Sequence, residues 1–69
     1  MVKNMANDAI RLGRLLKSAR ALSGLTQDQA AERVGLAPGS LSMAERGTRA
    51  LGPETVGRLL SALAAAEKE

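Results

Sequence analysis

VGLAPGSLSMAERG, residues 34–47, reads as a tight turn followed by a short helix. Gly35 supplies the turn, Pro38 stands where a helix tolerates a residue without an N–H, and Gly47 marks the stop. Leu41 and Ala44, three residues apart, give this helix of about 38–46 its buried side. Its leading residues, Ala37, Pro38 and Gly39, carry no side-chain hydrogen-bonding group. If the helix meets a partner, its tip offers backbone and little else.

Upstream, Thr26-Gln27-Asp28-Gln29 has the spacing of a capping box, with Thr26 as N-cap and Gln29 three residues on. Ala30, Ala31 and Val34 make the apolar side of the short helix that follows, and Gly35 closes it. A longer helix is expected from Asp8, its cap, to Gly24. Ile10, Leu12, Leu15, Leu16, Ala19 and Leu22 recur along it at helical spacing. Downstream, Gly52-Pro53-Glu54 starts a fourth helix, lined by Val56, Leu59, Leu60 and Leu63 and continuing into AAAEKE. No run alternates with period two, so the chain is read as all-α. Residues 1–7 read as a flexible N-terminal arm, 8–66 as one domain and 67–69 as a frayed tail.

Composition narrows the chemistry. Across 69 residues there is no cysteine, no histidine and no aromatic side chain. That removes disulfides, thiolate and imidazole metal ligands, the usual neutral-pH general base and stacking platforms for single strands. No metal site, cofactor or catalytic constellation can be assembled, so an enzyme is not expected. No wholly apolar run, LAAA at 63–66 included, is long enough to span a membrane, and no signal-peptide pattern is seen. Ten basic residues, seven of them arginine, against seven acidic ones give a net charge of +3. A small basic domain makes a polyanion the first partner to consider. A chain of this size buries only about 60% of its unfolded surface, so help from a partner subunit is also expected.

Two short helices joined by a glycine turn in a basic all-α domain form the helix-turn-helix pattern. Counting from Gln27, the fifth residue is Ala31, the ninth Gly35 and the fifteenth Leu41. These are a small residue at the helix crossing, a glycine in the turn and an apolar plug. With GLTQ before and ERGTR after, the region of about 12–63 resembles the XRE family, the lambda-repressor and Cro-like DNA-binding domains. The resemblance implies a compact lambda-repressor-like bundle of four, at most five, short helices, with the third lying in the DNA major groove. It implies that Gln27 contacts a phosphate and braces the base-reading groups. It places Pro38, Gly39, Ser42 and Met43, with Ser40 beside them, toward base edges, and Arg46, Thr48 and Arg49 on phosphates. Arg20 and Glu45 match a pair that forms a buried structural salt bridge in the family.

The chain departs from that pattern at several positions. Family members often carry Gln, Arg, Asn or Thr where this chain has Pro38 and Gly39, and neither of these makes a bidentate base contact. Ala37 lacks the usual hydroxyl cap, Ala44 is smaller than the usual residue, and a fifth helix has no clear counterpart after Leu63. Base reading then falls to Ser40, Ser42, a methyl contact by Met43, or DNA shape. Met43 is either a core filler or an exposed contact; Leu41 and Ala44 already define the inner face, which favours exposure. Arg11, Arg14 and Lys17 read as a solvated face of helix 1, and the Leu59/Leu60/Leu63 stripe as core with one leucine to spare for a dimer.

The expected function is that of a small cytoplasmic regulator of bacterial or phage type, binding a palindromic operator as a homodimer and associated with the nucleoid through DNA. A phage repressor, a restriction–modification controller or an antitoxin would all suit these 69 residues. The alternative is a protein-interaction module on the same fold, whose main partner is a toxin or kinase.

Overall fold

The computed structural model describes residues 5–69, with side chains from Asp8 onward. It contains four helices: α1 (Met5–Ser23), α2 (Gln27–Arg33), α3 (Pro38–Arg46) and α4 (Pro53–Glu67). Among the described residues there is no strand and no fifth helix. α1 packs on α3 and α4, and α2 packs on the same two helices.

The boundaries follow from local chemistry. Thr26 caps α2 through both arms of the capping box: the Gln29 N–H donates to Thr26 Oγ1 at 3.1 Å, and the Thr26 N–H donates to Gln29 Oε1 at 2.9 Å. α2 closes on Gly35 at φ +73°, which lets the Leu36 N–H reach back to the Ala31 carbonyl at 2.9 Å. Pro38 begins α3 as expected, and Ala37 makes no side-chain cap bond. α3 closes the same way on Gly47, with the Thr48 N–H donating to the Met43 carbonyl at 3.0 Å.

The start of α1 differs from the sequence reading. α1 begins at Met5, so Asp8 lies in its first turn and complements the helix dipole there instead of capping. Of the arm expected over 1–7, residues 1–4 lie outside the described residues and Met5–Asn7 are helical. At the other end, α4 closes at Glu67, and Lys68 and Glu69 lie past it. Glu67 is helical, and both Glu69 carboxylate oxygens accept from Arg33 at 2.8 Å, tying the chain end back to α2.

The core is aliphatic. Leu16, Leu41 and Leu59, from α1, α3 and α4, form its centre, with Ala30, Ala31, Val34, Ala44 and Leu63 around them. Ala31 is completely buried, as a small residue at a tight crossing must be. The apolar stripe expected on α1 splits: Leu12, Leu16 and Ala19 face the core, while Leu15 and Leu22 remain 65% and 73% exposed.

α1 and α3 approach closely enough for backbone to meet backbone. A Cβ on Gly13 would stand 2.6 Å from the Glu45 carbonyl oxygen, which no side chain tolerates. A Cβ on Gly47 would stand 2.8 Å from Ile10 Cα. A glycine inside α1 and another capping α3 thus let α3 come close against α1.

Candidate nucleic-acid interface

The interface is built outward from one carboxylate. Glu45, in α3, is 6% exposed and accepts three hydrogen bonds. Arg20 of α1 donates from Nε at 2.6 Å and from Nη2 at 3.1 Å, and Gln27 at the start of α2 donates from Nε2 at 2.9 Å. Arg20 also donates from Nη1 to the Leu25 carbonyl at 3.0 Å, fixing the loop between α1 and α2. One network therefore joins α1, its following loop, α2 and α3. The structure places Arg20 and Glu45 together as the buried pair the sequence implied.

Burial pushes the Glu45 carboxyl up, but the bonds from Arg20 and Gln27, with the charges of Arg20 and Lys17, outweigh it. Its pKa is held below the usual carboxylate range. The bonded carboxylate in turn raises the Arg20 pKa. The group is thus an ionised structural clamp, the opposite of a poised acid–base residue.

Gln27 braces α3 from the start of α2. Its amide nitrogen serves α3 through Glu45, so the bracing falls on the frame of α3 and not on base-reading side chains. The side chain stays half-buried at the outer end of α2.

α3 turns Leu41, Ala44 and Glu45 inward. At 3.6 residues per turn, Gly39, Ser42, Met43 and Arg46 then share the outward side. Gly39 and Arg46 are exposed, as is Pro38 at the tip; Ser40, Ser42 and Met43 are half-buried. Met43 is therefore neither sealed in the core nor fully outward.

The loop after α3 contributes more than its sequence suggested. Thr48 donates from Oγ1 to the Met43 carbonyl at 3.1 Å, so its hydroxyl hydrogen closes α3. Arg49 reaches back across the helix, its Nη1 lying 3.4 Å from Ser40 Oγ. An exposed guanidinium thus comes to rest beside the first turn of α3, the turn that carries no charged side chain of its own.

Three structural residues escaped the sequence reading. Arg58 of α4 donates from Nη2 to the Val34 carbonyl at 3.0 Å, serving the C-terminal end of α2, and Arg33 holds Glu69. Both are long-range pairings that no local spacing announces. Gly13 did leave a signal, because a glycine inside a strongly periodic helix usually has a packing reason. Among the described residues, no three carboxylates, histidines or cysteines are grouped as a metal site would require, and no helix is long and apolar enough to cross a membrane.

A basic domain whose second helix is capped, turned by a left-handed glycine and clamped to a partly exposed third helix is a helix-turn-helix domain. The chain belongs to the XRE-type helix-turn-helix family, whose sequence model matches residues 16–66 of its 69. This membership makes it a DNA-binding domain of the transcription-regulator type. No curated protein and no solved structure matches the chain.

Proposed function

We propose that the chain is a non-catalytic transcriptional repressor that docks α3 in the DNA major groove and binds a palindromic operator as a homodimer. The observation that carries the reading is the Arg20–Glu45–Gln27 clamp, which holds α3 rigidly with its Gly39–Met43–Arg46 side outward. Pro38 and Gly39 let the backbone come close to the bases without offering them donors. Ser40, Ser42 and Met43 read modestly, while Arg46 and Arg49 supply phosphate affinity, supported by Thr48 and the outer edge of Gln27. Two recognition helices about one helical turn apart on the duplex would occupy the two half-sites. The setting that suits it is the bacterial or phage cytoplasm, on the nucleoid, as a phage repressor, restriction–modification controller or antitoxin.

A footprint over the promoter of its own gene tests this directly. Protection of two inverted half-sites supports the reading, and uniform protection independent of sequence contradicts its operator part. The poorly armed tip of α3 favours one other reading, an interaction module for a toxin or kinase on the same fold. Such a module would leave duplex DNA unprotected at low salt.

A further inference from the structure

α3 ends in a reversal. Gly47 takes the left-handed conformation, and the Thr48 N–H and hydroxyl both donate to the Met43 carbonyl, at 3.0 and 3.1 Å. The chain leaving α3 is thereby folded back onto the helix it has just left. From there the Arg49 side chain runs toward the opposite end of α3, where its Nη1 lies 3.4 Å from Ser40 Oγ. A guanidinium that belongs to the exit loop is carried to the entrance of the helix.

Charge pairing does not account for that placement. Among the described residues no carboxylate forms an ion pair with Arg49, and the first turn of α3 contains no acidic residue. The first turn of a helix carries partial positive charge, so a cation beside it gains nothing from the dipole. The space ahead of that turn is open. A Cβ added to Gly39 meets no atom within 4 Å, and Pro38, Gly39 and Arg49 are all exposed. Pro38 and Gly39 let a duplex come close there without offering it a side-chain donor. Of the five N–H groups of a guanidinium, one is turned toward Ser40 and four stay available as a planar fork.

We propose that Arg49, braced on Ser40 across the first turn of α3, reads a guanine through the O6 and N7 acceptors of its major-groove edge. The inference rests on the DNA-binding reading above and names the side chain that gives it sequence preference. The specificity contact that Pro38 and Gly39 cannot make is thus supplied from outside the helix, by the loop that follows it. The charge of Arg49 contributes to salt-dependent affinity whether it lies on a base or on a phosphate, so the salt slope does not separate the two roles. Sequence preference does, because losing a phosphate contact weakens all duplexes alike, while losing a base contact relaxes one position.

Selection from a pool of duplexes with randomised base pairs, at low salt, by the full chain and by Arg49→Ala tests the proposal. The unaltered chain is expected to enrich a motif containing a guanine. Arg49→Ala should accept any base at that position, a loss of about 5- to 150-fold in discrimination, and keep its preferences elsewhere. Replacing that guanine by an analogue with carbon in place of N7 should weaken the unaltered chain several-fold and leave Arg49→Ala unaffected. Arg49 is exposed, so the variant should keep the helical circular dichroism of the parent. An Arg49→Ala chain that binds more weakly but keeps the same guanine confines Arg49 to phosphate and overturns the inference. So does a preference for A·T pairs that vanishes in Arg49→Ala, the mark of a guanidinium in a narrow minor groove. In both cases DNA binding itself stands, as it does if the unaltered chain retains duplexes without any preference, which also overturns the inference. An unaltered chain that retains no duplex refutes the proposed function, and the inference with it.

Discussion

Glu45 concentrates much of what the residues do individually. Its carboxylate is 2% exposed and balanced by a guanidinium, so removing either partner strands a charge in a dry site. Glu45→Ala and Arg20→Ala are each expected to cost about 3–5 kcal/mol in urea denaturation, whereas R20M/E45L should cost much less than the sum. Additive losses would show that the two groups act separately. The same carboxylate sets an acid limb. Its folded-state pKa lies below the ordinary 4.5, so the unfolded chain binds more protons as pH falls. The stability it adds is full above that ordinary value and drains away on acidification through the lower folded value. Glu45→Gln should flatten stability against pH below about pH 5, the window in which a depressed carboxylate titrates. An acid limb unchanged in Glu45→Gln would assign it to other carboxylates. Arg33 and Glu69, although bidentate, are exposed, and their pairing is expected to matter for the position of the chain end more than for stability.

Among the elements, the helix-turn-helix was legible because its signals are local. Thr26, Gly35, Pro38 and Gly47 each dictate the backbone within a few residues of themselves, and all four positions came out as read. What sequence did not disclose depends on distant neighbours. The start of α1 moved to Met5, because Asp8 serves a first turn as readily as a cap. Gly13 is required by the α3 backbone, thirty-odd positions away, and half of the α1 stripe faces outward because periodicity cannot say how wide a helix's packed face is. The glycines allow a graded test. At Gly35 a Cβ meets nothing within 4 Å, so Gly35→Ala should cost only the left-handed backbone strain, about 1–2 kcal/mol. Gly13→Ala has a normal helical backbone but no space, and is expected to cost more, about 3 kcal/mol or above, with α1 forced off α3. Thermal denaturation ranks the two, and the reverse order would contradict the close crossing. Ala37 offers an opposite test. Ala37→Ser adds the missing hydroxyl at an extended N-cap and should stabilise by about 1 kcal/mol in the same measurement.

At the scale of the molecule, the sequence announced the class of domain and left its surfaces undecided. The fold brings Arg49 back beside Ser40, so cationic charge reaches the end of α3 that looked bare, though no residue of that turn carries it. Gln27, at the start of α2, also acts as a strut under α3 through its bond to Glu45. Both outcomes require the packed arrangement of helices and could not be read from spacing. The resulting molecule has a rigidly held helix with arginines at its far end and flank, in a chain with a net charge of +3. The most direct test of DNA binding through that face is the affinity of the chain for a fluorescent duplex as salt is raised. The logarithm of affinity should fall linearly with the logarithm of salt concentration, and Arg46→Ala and Arg49→Ala should each reduce the slope by about one. Absence of binding even at about 20 mM salt, where phosphate contacts are strongest, would contradict the account, as would slopes unaffected by either substitution.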